Sequence, residues 1–161
     1  MMARAMDTFA AALLLVASAV LFACSAADSR RDDFVDVTLS AARINAGETG
    51  RAMLIPLGDR TQVTLTVSGV PPELTSRPVH LYTFIYGGSC GSLAPQPAYA
   101  LTERVLAGSP SSATSAPLRG PFTITNVAPV PIAALQKEAY AIRVMTSPAD
   151  GNREIFCGDI H

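Results

Sequence analysis

Thr61-Gln62-Val63-Thr64-Leu65-Thr66-Val67-Ser68-Gly69-Val70 alternates without a break. Val63, Leu65 and Val67 fall on one side of an extended chain, and Thr64, Thr66 and Ser68 on the other. That is the pattern of a strand with one face in a core and one in solvent. β-branched residues dominate, as a pleated, half-buried surface favours. Pro71-Pro72 stops the run.

The same alternation recurs on both sides. Toward the N-terminus, residues 34–41 set Val35, Val37, Leu39 and Ala41 on one face, residues 45–50 are turn chemistry, and residues 51–57 form a second strand. Pro56 removes a backbone donor there, so that strand is expected at an edge or interrupted. Gly58-Asp59-Arg60 is a tight hairpin connection. Toward the C-terminus, residues 78–86 carry bulk on both faces: Val79, Leu81, Thr83 and Ile85 against His80, Tyr82, Phe84 and Tyr86. Such a strand is central or covered, and residues 87–97 are expected to be the loop that covers it. Residues 99–106 are expected to form a further strand, and residues 108–117 an exposed Ser/Ala/Pro loop. Strands follow at 122–127, 139–146 and 154–160, with a hairpin turn at 147–152. Residues 131–138 hold the one helical candidate, a short helix or turn with Pro131 at a permitted first-turn position. About seven to eight short strands separated by turn signals predict an all-β fold. The expected architecture is an immunoglobulin-like Greek-key β-sandwich or flattened barrel of antiparallel strands.

The chain has 161 residues, half of them hydrophobic, with a formal net charge of -1. That length suits one domain with a real core. Lys137 is the only lysine and no basic patch appears, so nucleic acid is not an expected partner.

Residues 1–23 read as an export signal. Arg4 supplies the positive start, and residues 9–22 are an apolar run short of the roughly 20 residues that a spanning helix needs. Leu21-Phe22-Ala23-Cys24 resembles the bacterial lipobox, in which the cysteine takes the lipid; Phe22 stands where that pattern prefers a small residue. Cleavage after Ala26 or Ala27 by the ordinary signal peptidase is the alternative, giving a soluble periplasmic or secreted protein. Ser25 rather than Asp after Cys24 implies, by bacterial sorting rules, the outer membrane, with the chain facing periplasm or cell surface. Residues 24–33 are a polar tether, and residues 34–161 are read as a single β-sandwich domain.

Three cysteines is an odd count for an exported protein. Lipidation removes Cys24, and an oxidising compartment would pair Cys90 with Cys157. The closed loop of about 67 residues corresponds to roughly 4 kcal/mol in the chain-entropy account. Two free, buried thiols are the alternative.

At two places the chain resembles the copper/zinc superoxide dismutase fold, and more closely the small exported bacterial proteins built on that sandwich. That family has a strand with a His-x-His pair, then a glycine-rich loop whose cysteine is bonded to one in a C-terminal Ala-Cys-Gly-Val-Ile strand. Here Val79-His80-Leu81-Tyr82 stands at the His-x-His strand, Ser89-Cys90-Gly91 at the loop cysteine, and Phe156-Cys157-Gly158-Asp159-Ile160 at the last strand. The penultimate strand of the family ends in a metal-binding His; Met145 takes that place. Of the copper ligands only His80 stands in position, Tyr82 replaces the second, and no zinc-loop cluster follows Cys90. His161 matches nothing. The resemblance therefore implies the fold without the activity.

Two histidines in the whole chain do not make the imidazole site that superoxide dismutation needs. Gly87-Gly88-Ser89-Cys90-Gly91 matches G-x-S-x-G, but Pro95 and Pro97 follow where a nucleophile elbow needs a helix. A Cys90–His80 thiol nucleophile is excluded by a disulfide. Tyr82, Phe84, Tyr86 and Tyr99 form an exposed aromatic surface or lie buried under the 87–97 loop. The expectation is an exported, lipid-anchored envelope protein that acts as a non-catalytic binding or structural module, with an envelope or surface partner and no cofactor. The alternative is a periplasmic copper carrier using His80 and Met145, since thioether plus imidazole suits Cu(I); core packing of Met145 is the bland account.

Overall fold

The computed structural model describes residues 34–76, 79–101, 104–106 and 119–161. The export signal, the tether with Cys24, and the 108–117 loop lie outside the described residues. Within them run nine strands: β1 (Val35–Ala41), β2 (Gly50–Leu57), β3 (Arg60–Gly69), β4 (Val79–Ser89), β5 (Ser92–Ala100), β6 (Arg104–Leu106), β7 (Arg119–Ala128), β8 (Tyr140–Thr146) and β9 (Glu154–Ile160). Every pairing is antiparallel. The order is β5-β4-β8-β9-β1-β2-β3-β7, with the short β6 also on β4. Non-consecutive neighbours such as β3 with β7 and β4 with β8 make the arrangement a Greek key. The all-β expectation holds.

The alternation read from the sequence becomes the core. Val63, Leu65 and Val67 of β3 point inward beside Ala52 and Leu54 of β2. Val79, Leu81 and Ile85 of β4 and Ile142 and Val144 of β8 are buried on the other half of the sheet. The expected helix is the single turn α1 (Ile132–Leu135), which closes over the core with Leu135 fully buried. Pro56 is accommodated because β1 reaches only Leu54, so β2 outruns its neighbour and pairs there with β3 alone.

β1 curls the sheet by changing partners half-way. Residues 35–39 pair with β2, whereas Ser40 and Ala41 pair with β9. At this corner Gly158 of β9 lies against β1 so closely that a Cβ would sit 2.5 Å from the Thr38 carbonyl oxygen. Only glycine admits that approach.

Two expectations need correction. Residues 87–97 are not a loop: β4 continues to Ser89 and β5 starts at Ser92, so they form a hairpin turning at Cys90 and Gly91. β5 is an edge strand, exposed along almost its whole length, which is where Pro95 and Pro97 are tolerated. Register shifts around Tyr86 bend the pair. The single strand expected at 99–106 is instead the end of β5 followed by β6.

Gly158→Ala forces the β1 corner apart. It is expected to lower stability by about 1–3 kcal/mol, as overpacking does, and urea denaturation checks this; an unchanged midpoint would show that the corner gives freely.

Candidate functional site

The hairpin turn between β4 and β5 carries the first cysteine. Gly88 enters it with φ +95, a left-handed conformation that suits glycine, and a Cβ there would meet the Ser92 carbonyl oxygen at 2.2 Å. The Gly88 N–H donates to the Ala139 carbonyl at 2.7 Å, so the hairpin is held at the start of β8. Beyond it, Cys90 forms a disulfide with Cys157 of β9, the Cα atoms 5.9 Å apart. The Cys90 N–H donates to Asp159 Oδ1 at 2.6 Å. A covalent bond and a charge-assisted hydrogen bond thus fix one hairpin tip to a strand two places away in the sheet.

Beside the disulfide lies a groove of about 300 Å³. Asp36, Thr38 and Ser40 of β1 line one side, and Cys90, Gly158, Asp159 and His161 the other. His161, which matches nothing in the resemblance, is brought here because β9 pairs with β1. Asp36 is held by an ion pair with Arg51, and Asp159 by the Cys90 N–H. Among the described residues no group of three or more His, Cys, Asp and Glu side chains converges as a metal site.

The outward face of β4 and β8 collects the remaining candidates. Tyr82 pairs directly with Met145, and Met145 is buried. His80 stands two residues from Tyr82 on the same face, which sets it diagonal to Met145 rather than opposite it. Phe84 and Tyr86 meet edge to face at 6.2 Å, and the Arg143 guanidinium lies over the Tyr86 ring at 5.6 Å while its Nε holds Glu154 at 2.6 Å. Tyr99 is not part of this surface. It pairs with inward-facing Ile85 and packs beside Tyr140. Burial, followed by the neighbouring Tyr99 and Glu138, raises the Tyr140 hydroxyl above its ordinary pKa.

Asp150, in the turn between β8 and β9, went unnoticed in the sequence. Its carboxylate accepts from the Ser76 hydroxyl and, at 2.9 Å, the Ser76 N–H, and from the Ser147 hydroxyl at 2.7 Å. The Ser76 hydroxyl first, then Ser147, the Ser76 N–H and the charge of His80 hold its pKa below the ordinary value, against a smaller opposing effect of burial. Asp150 therefore ties the segment after β3 to the β8–β9 turn and gives His80 an acidic neighbour.

No protein-family model, curated protein or solved structure matches this chain.

Because the folded Asp150 pKa is depressed, its contribution to stability is full above the ordinary carboxylate value of 3.8 and is lost as pH falls through the folded value. Asp150→Asn is expected to be less stable than the wild type at neutral pH, with the gap closing in strong acid. Urea unfolding across a pH series checks this; a gap independent of pH would contradict it.

Proposed function

We propose that this chain is an exported bacterial envelope protein, lipid-anchored at Cys24, whose β-sandwich serves as a non-catalytic binding or structural module. The Cys90–Cys157 disulfide is the observation that carries the reading. Such bonds persist in oxidising compartments and are rare in the cytosol. Export then accounts for residues 1–23, and lipidation for the third cysteine, which sits at the end of a lipobox-like stretch and opens a polar tether.

The resemblance to the superoxide dismutase sandwich belongs to the same proposal. The bond between a hairpin cysteine and the last strand supports it, as does the register that sets Tyr82 opposite Met145. Those are two of the positions where the resemblance calls for imidazoles, His80 being the one that keeps it. Their side chains here supply a phenol and a thioether, and His80 has Asp150 as a charged neighbour. The module thus keeps the clasp and presents the Cys90–Gly91 hairpin tip to a partner in the envelope.

Fractionation of cells expressing the full chain tests the anchor. The wild type is expected with the membranes, and Cys24→Ala is expected to lose that association; an unchanged distribution would overturn the lipid anchor. The copper-carrier alternative rests on the shared outward face of His80 and Met145. Stoichiometric Cu(I) uptake by the oxidised protein, abolished in both His80→Ala and Met145→Ala, would favour it over the structural module.

A further inference from the structure

Large apolar side chains left exposed gather at one end of the sheet. Phe34 is 56% exposed, Leu57 41%, Val127 41% and Met53 36%. The register places them together on the outward face. Val35 pairs with Leu54, so Phe34 falls beside Ile55; Ile55 pairs with Gln62, and Gln62 with Val127. This row crosses four neighbouring strands, roughly 15 Å at ordinary strand spacing. Met53 and Leu57 flank it on β2, one residue of the same face to either side. Among the described residues, charges beside it are paired: Asp36 with Arg51, and Asp59 with Arg60 at 3.9 Å. Among the described residues, the remaining exposed large apolar side chain, Ile44 at 38%, lies past the opposite end of β1.

The patch surrounds the point where the chain enters the fold. Ten residue steps separate Cys24 from Phe34. Fully extended they span at most about 36 Å. A face joined to a lipid by so short a tether is held at an effective local concentration on the order of millimolar, so weak affinity suffices to keep it seated.

We infer that this outward face of β1, β2, β3 and β7, centred on Phe34, Ile55, Leu57 and Val127, rests on the lipid bilayer that holds Cys24 and orients the domain on it. The inference rests on the lipid-anchor reading. Its chemistry is apolar contact within a charge-balanced rim, so the seating is driven by burial of side chains at the acyl boundary and not by attraction to anionic headgroups. The far end, with Ile44, then points away from the membrane.

Site-directed fluorescence on the full, acylated chain reconstituted into phosphatidylcholine vesicles tests it. Leu57→Cys and Ile44→Cys each supply an exposed attachment point, matched in apolar character, for an environment-sensitive dye. Flotation with the vesicles reads the anchor separately. With flotation intact, a lipid-borne quencher is expected to act at least about threefold more strongly at position 57 than at 44, as fits a face lying at the headgroup–acyl boundary, and the difference is expected to persist at high salt. Equal quenching at the two positions overturns the inference and leaves the anchor standing. So does a dye at position 57 shielded from both lipid-borne and aqueous quenchers, which would put a second copy of the chain on this face. Loss of the difference at high salt overturns the apolar basis of the seating. A chain that does not float removes the anchor and the inference together.

Discussion

A single covalent bond links the most irregular part of this sheet to one of its two most buried strands. β5 is exposed on nearly every residue and interrupted by two prolines, so it buries little apolar surface and depends on backbone pairing with β4. The bond from Cys90 to Cys157 anchors the turn between these strands to β9, whose residues Ile155 and Phe156 are fully buried. The hairpin is thereby tied to the core without contributing much to it. In the chain-entropy account a 67-residue closure removes roughly 4 kcal/mol worth of freedom from the unfolded chain, a large share of the 5–15 kcal/mol by which domains are usually stable.

The same strand, β9, supports the corner at β1. Cys157 pairs with Ser40, and Gly158 admits the β1 backbone beside it. The disulfide, the bend in β1 and the groove that holds His161 are therefore one local assembly. Asp159 completes it by accepting from the Cys90 N–H. The opposite end of β1 is built differently, as an open apolar face around Phe34.

Much of the fold was legible because a half-buried strand records its environment every second residue. β1 and β3 follow their alternation to within a residue, and β7 alternates as read but starts three residues earlier. β5 was not legible, since a strand exposed on both faces carries no such record, and Gly87, Gly88, Pro95 and Pro97 have the composition of a loop. The change of partner in β1 was hidden too, because it depends on a glycine more than a hundred residues away. At the site, the cysteine pair was readable by counting. The neighbourhood of His161, the separation of Tyr99 from Tyr86, and the reach of Asp150 to Ser76 were not, since each arises from strand order rather than local pattern. Asp159, a charged residue among the buried positions of the last strand, was the visible hint that something polar had to be met there.

The account stands on the oxidation state of Cys90 and Cys157 in the cell. Protein isolated from its source without reductant, treated with a thiol-alkylating reagent, digested and mapped by mass spectrometry reads this directly. A linked Cys90–Cys157 peptide pair with neither cysteine alkylated is the predicted result. Alkylation of both as free thiols would contradict the clasp and, with it, the proposed oxidising compartment.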